Sequence, residues 1–112
     1  MQVLVSTDHN IDGREALDHR ITDVVEHALT RVKDRITRVD VHLSDENSDK
    51  KVGGLDMRCV MEARLEGRPP VAVTDHAATV DQAVSGATRK LIRSIGRLFW
   101  RLHDKRSRGT QK

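Results

Sequence analysis

The sequence predicts an α+β domain of order β-α-β-β-β-α, a two-layer sandwich with a four-stranded sheet and two helices packed on one face. Three observations predict it. Apolar residues recur with a helical period in two long stretches, one near the start and one near the end. Between them the period falls to two in successive segments. Each of those segments is apolar on one side only, so both helices must cover that same side.

The elements follow in order. Residues 2–6, "QVLVS", form a short strand. A helix starts at about Asp12, an N-cap type with Glu15 placed as in a capping box. Leu17, Ile21, Val24, Val25, Ala28, Leu29 and Val32 make its apolar stripe, and the helix is expected to end near Arg35. In "ITRVDVHLSD", Val39, Val41 and Leu43 alternate with Arg38, Asp40 and His42. In "LDMRCVMEARLEG", Leu55, Met57, Cys59, Met61, Ala63 and Leu65 alternate with Asp56, Arg58, Val60, Glu62, Arg64 and Glu66. "ENSDKKVGG" between them is expected to be a polar, mobile loop, and "GRPP" at 67–70 a tight connection to a further strand, "VAVTD". Both links imply antiparallel hairpins. The last helix is expected from near Ala78 to about Leu102, roughly 37 Å at 1.5 Å per residue. The polar end of the chain is expected to fray. With 112 residues, one domain over 1–104 and a flexible basic tail over 105–112 account for the chain.

Composition narrows the function. Apolar residues make up 37% and aromatics only 2%, so the core must be built from Val, Leu, Ile, Ala and Met. The net charge of +3 hides an asymmetry. From Thr88 to Lys112 nine Lys/Arg face one acid, whereas the other 87 residues hold eleven Lys/Arg and sixteen Asp/Glu. Such a split points to an anionic partner at one surface, nucleic acid before membrane. A lone cysteine excludes an internal disulfide and fits a reducing compartment. The N-terminus lacks the pattern of a signal peptide and no apolar run is long enough to span a membrane, so the expected location is the cytoplasm.

Catalytic and metal chemistry find little footing. The six histidines form no ligand pair of the H-E-x-x-H kind, and Cys59 falls mid-strand on the apolar face, where a cysteine behaves as a small hydrophobe. "VGG" at 52–54 precedes no Gly-Lys-Ser/Thr helix start. Glu62 and Glu66 alternate with arginines as surface ion pairs do. The expectation is a protein that is not an enzyme and takes no cofactor, metal or small-molecule substrate.

The stretch 88–101, "TRKLIRSIGRLFWR", carries five basic residues, no acid, and the only Phe and Trp of the chain. On a helix, Arg89, Lys90, Arg93, Arg97 and Arg101 fall within an arc of about 120°, which also includes Gly86. Ala87, Leu91, Ile92, Ile95, Leu98, Phe99 and Leu102 fall opposite. Phe99 thus faces the core, while Trp100 projects among the arginines, either to stack on a base or sugar or to shield the helix end. Solvated helix faces normally mix acids with bases, because like charges four residues apart repel. Arg89, Arg93, Arg97 and Arg101 have no compensating acid, which fits a bound polyanion better than a merely solvated face. Arg20, His27 and Arg31 share a flank of the first helix and would wall the other side of a groove suited to a phosphodiester. Pairing of Arg20 and Arg31 with Asp23, Asp18 or Glu15 is the competing assignment.

At this point the chain resembles the ribosome hibernation-promoting factors and ribosome-associated inhibitor proteins, the sigma-54 modulation protein family, in its short form. The resemblance runs through "MQVLVST", "VDVHLSDE", "CVMEARLEGRPPVAV" and "AVSGATRKLIR". Its most specific part is A-[IV]-x-G-x-x-x-K-L-x-R, matched by Ala83, Val84, Gly86, Lys90, Leu91 and Arg93. The resemblance implies the same element order and a non-enzymatic protein that binds the small ribosomal subunit in the mRNA and tRNA channel. It implies contact with 16S rRNA through basic helices, inhibition of translation and protection of idle ribosomes. Lys90 and Arg93 carry over from the motif and Arg97 more loosely. Arg20, Arg31, Arg89, Arg101 and Trp100 rest on helix geometry. A short member is expected to be monomeric. Many members open the last helix with Asp-x-Tyr, where this chain has Thr79 and Asp81. The alternatives are a general RNA-binding module, a double-stranded RNA binder, or a peripheral interaction module that uses a basic amphipathic helix. "QVLVS" before the first helix argues against the double-stranded RNA binder, and the need for the helix's apolar face to cover the sheet argues against the membrane.

Overall fold

The computed structural model describes residues 1–8, 14–45 and 57–110, with side chains described through Phe99 except that of Arg14. Strand β1 (Gln2–Thr7) leads to helix α1 (Arg14–Ala28) and a 3₁₀ segment (Thr30–Arg35). Strands β2 (Ile36–Asp45), β3 (Met57–Leu65) and β4 (Val71–Ala77) follow, then helix α2 (Val80–Thr110). The sheet order is β1-β2-β3-β4. Strand β1 runs parallel to β2, with Val3 opposite Val39 and Val5 opposite Val41. The two later pairings are antiparallel. The β-α-β-β-β-α order is thus the one expected.

Burial alternates along the strands as the sequence requires. Met57, Cys59, Met61, Ala63 and Leu65 of β3 point under the helices, and Val39, Val41 and Leu43 of β2 join them. Ile36 and Val39 are both buried although they lie three apart, and a register shift between Ile36 and Arg38 absorbs the extra residue. Leu17, Ile21 and Val25 of α1, with Leu29 beyond it, cover the β1 end of this buried face. Ala83, Val84, Ala87, Leu91 and Ile95 of α2 cover the β3–β4 end of the same face, with the small alanines letting the helix lie close over those strands. Thr88 is buried among them, and its hydroxyl donates to the Val84 carbonyl at 2.6 Å. Gly67, at φ 70°, makes the turn from β3 to β4 with a conformation other residues disfavour.

Four details differ from the sequence expectation. The α-helix stops at Ala28 rather than near Arg35, and a 3₁₀ segment takes over. Thr30 stands at the change, its single hydroxyl proton shared between the carbonyls of Glu26 and His27, both at 2.9 Å. The amide of Val32 then reaches back only three residues to Leu29. Second, α2 starts at Val80 rather than Ala78 and continues to Thr110 rather than Leu102, about 46 Å in all. Third, Val24 and Ile92, assigned to the apolar stripes, are 42% and 39% exposed. Fourth, Gly86, placed in the basic arc, is buried against β4. The Asp12 cap, Leu55, Asp56 and the 46–54 loop lie outside the described residues.

Candidate nucleic-acid interface

The start of α2 sets the position of its charged face. The Thr79 side-chain oxygen accepts from the Gln82 amide at 3.2 Å, and its carbonyl accepts from the Ala83 amide at 3.0 Å. Thr79 is therefore the N-cap. Asp81 stands in the first turn, where a negative charge suits the helix dipole. It also reaches α1: Arg20 Nε donates to Asp81 Oδ1 at 3.1 Å, and Nη2 lies 3.1 Å from the same oxygen. The partner of Arg20 is thus an acid of the other helix, not Asp18, Asp23 or Glu15. This tie crosses a cleft of about 230 Å³ between the helices, lined by Arg20, Ile21, Val24, Asp81, Val84 and Ser85.

Further along α2 the expected cations separate into two groups. Lys90 folds down onto β4, with Nζ donating to the Thr74 carbonyl at 2.8 Å and paired to Asp75 Oδ1 at 2.9 Å. It remains half exposed but is tethered. Arg89, Arg93 and Arg97 are exposed and make no ion pair among the described residues. Their four-residue spacing sets their Cα atoms about 6 Å apart along the axis. Arg97 borders a shallow cleft with Val71, Ser94 and Leu98, which places the ladder beside the β4 edge of the sheet. The backbone at Trp100 and Arg101 continues α2, and their side chains lie outside the description.

The first helix contributes less than its sequence promised. Arg20 borders the interhelical cleft, whereas His27 lines another cleft with Met1, Glu26, Thr30 and Lys33. Arg31 falls on the 3₁₀ segment, so it does not continue the α1 flank, though it is exposed and without an ion pair among the described residues. Phe99 is half-buried against the core as expected, and Arg35 lies over its ring at 4.6 Å. Neither Arg35 nor the ties through Asp75 and Asp81 carries a signal in the sequence, because each depends on which elements become neighbours.

The open face of the sheet has a different character. Arg38 Nε lies 3.1 Å from Asp40 Oδ1, and Arg64 stands near both Asp40 and Glu62 at 3.9 and 3.8 Å. Charges there are balanced across strands. Cys59 is fully buried on the opposite face, and burial first, then the charge of Asp75, pushes its thiol from 9.0 up to about 12. It is held as a thiol, not as a nucleophile. Among the described residues no group of three His, Cys, Asp or Glu side chains gathers to hold a metal, and no helix is long and apolar enough to cross a membrane.

Fold and charge together define a two-layer α+β domain whose longer helix shows to solvent arginines that have no ion pair among the described residues. The chain belongs to the family described as sigma 54 modulation protein / S30EA ribosomal protein, whose profile it matches over residues 4–102. Among solved structures, it is similar to one described as a ribosomal subunit interface protein from Coxiella burnetii, at 14% identity and a TM-score of 0.67, over 88% of this chain and 97% of the other. It is similar also to the Protein Y N-terminal domain from Thermus thermophilus, at 23% identity and a TM-score of 0.57, over 87% and 94%. A comparison with curated protein sequences returns no match.

Proposed function

We propose that this chain binds the small ribosomal subunit in the channel used by mRNA and tRNA and contacts 16S rRNA through its basic helical face. It thereby blocks translation and protects idle ribosomes, as a monomer in the cytoplasm and without catalysing a reaction. The observation that carries the proposal is the ladder Arg89, Arg93 and Arg97, exposed on α2 with no ion pair among the described residues. Like charges at that spacing cost stability unless an anion relieves them, and a phosphodiester does so with charge-assisted hydrogen bonds. Family membership and the name of the Coxiella protein make the ribosome the polyanion of choice.

In this reading Arg89, Arg93 and Arg97 are the principal phosphate contacts, Arg31 stands at the margin, and Trp100 and Arg101 extend the contact along α2. Lys90 and Arg20 contribute positive potential from their tethered positions. Co-sedimentation with small subunits tests the proposal. Empty subunits should bind the chain, and subunits already loaded with mRNA and tRNA should exclude it. Equal binding to both would place the site elsewhere on the subunit, and binding to neither would remove the ribosome as partner.

A further inference from the structure

Helix α2 holds Gly86, Gly96 and Gly109, and of the first two only Gly86 has a reason inside the fold. Gly86 is buried, and a Cβ there would overlap the carboxylate of Asp75 on β4. Gly96 is exposed, has an ordinary helical backbone, and has no described atom within 4 Å of where its Cβ would stand. After proline, glycine is the poorest helix former, so an exposed helix interior with room for alanine gains from alanine. Among the described residues, neither packing, a turn nor a positive φ calls for glycine at this position. What remains is the other use of glycine, letting a ligand approach the backbone closely.

The surroundings say which ligand. On the helix projection Gly96 lies about 20° from Arg89, and the other two rungs, Arg93 and Arg97, lie about 60° and 100° from it on the same side. Ile92, one turn earlier on the other side, is 39% exposed. Among the described residues, the surface at Gly96 therefore combines an uncovered stretch of backbone, arginines along one wall and a methyl-bearing side chain along the other.

We infer that Gly96 is the point of closest approach between α2 and the RNA. A ribose of the bound strand lies against the helix backbone at Gly96 and against Ile92, while its flanking phosphates are held by Arg93 and Arg97. This rests on the proposed binding of rRNA and adds to it the position where the strand touches the helix.

The test compares the wild-type chain with Gly96→Ala, Gly96→Leu and Arg93→Glu, by thermal melting and by binding to small ribosomal subunits. Gly96→Ala should melt higher, by about 4 °C, because the helix propensity improves. It should nevertheless bind about tenfold more weakly, and Gly96→Leu weaker again, with no charge altered. A Gly96→Ala chain that melts higher and binds as wild type overturns the inference. One that melts lower overturns it too, since the glycine then serves the fold. If the wild-type chain does not bind and Arg93→Glu makes no difference, the ribosomal reading itself fails, an outcome distinct from intact binding that is indifferent to residue 96.

Discussion

The ammonium of Lys90 has three N–H donors, and two acceptors on β4, the Thr74 carbonyl and the Asp75 carboxylate, engage it. It thereby ties α2 to the edge strand of the sheet. Arg93, one turn on, has no comparable tie among the described residues. Because Lys90 is half exposed, its tie is discounted for solvent, and Lys90→Ala should cost about 1 kcal/mol in thermal or denaturant unfolding. Arg93→Ala should stay within about 0.5 kcal/mol. Equal and negligible costs would mean that the tie contributes nothing and that Lys90 is free for phosphate. Cys59 makes a second residue-level prediction. Its folded pKa of about 12 lies above the ordinary 9.0, so the unfolded chain is the form that releases this proton first. Stability from this group is intact below pH 9 and is lost as pH rises toward 12. Replacing Cys59 with Ala should flatten the fall in melting temperature over that interval. In the native wild-type protein at neutral pH a thiol reagent should label Cys59 only after unfolding, and prompt labelling would contradict its burial.

At the scale of the element, α2 carries both the packing and the charge. Its apolar side buries Ala83, Val84, Ala87, Leu91 and Ile95, and the opposite side shows Arg89, Arg93 and Arg97. Reversing two of these, Arg93→Glu with Arg97→Glu, should leave the fold intact and weaken binding to small subunits about a hundredfold, since each reversal removes an ionic contact and adds a repulsion. Arg58→Glu with Arg68→Glu makes the same change in net charge on the open strand face and the β3–β4 turn, and should weaken binding much less. Equal losses would show that net charge alone drives the association. The ladder and the strands were legible in the sequence because both depend on local periods, 3.6 for the helix and 2 for the strands. What depends on juxtaposition was not legible. The Arg20–Asp81 bridge joins residues 61 apart, and no pattern along either helix announces it. Lys90 sits in the basic arc by angle, yet β4 claims it because Asp75 lies beneath that turn. The 3₁₀ segment begins at Thr30, whose hydroxyl proton is shared between two carbonyls, but the apolar stripe continues past it, and period alone favours the stripe.

At the scale of the molecule, the chain separates charge along its length, with nine Lys/Arg against one acid from Thr88 onward and an acidic excess before it. Folding sets that basic end along one helix and leaves balanced ion pairs on the open sheet face. A body polarised in this way should be steered toward a polyanion and held there chiefly by displaced counterions. If three or four arginines each neutralise one phosphate, a plot of log K against log salt should fall with a slope of about −2 to −3, taking about −0.7 per contact for single-stranded nucleic acid. The Arg93→Glu, Arg97→Glu chain should flatten that slope by about 1.4, two contacts' worth, as well as weakening the affinity. In a cell-free translation system the same interaction should inhibit by occupancy, so that inhibition saturates near one chain per small subunit. Inhibition at ratios far below one would require turnover and hence an active site outside the surfaces described. A slope near zero would require binding through the apolar cleft or the open sheet face, and the arginine ladder would then need another explanation for its unrelieved repulsion.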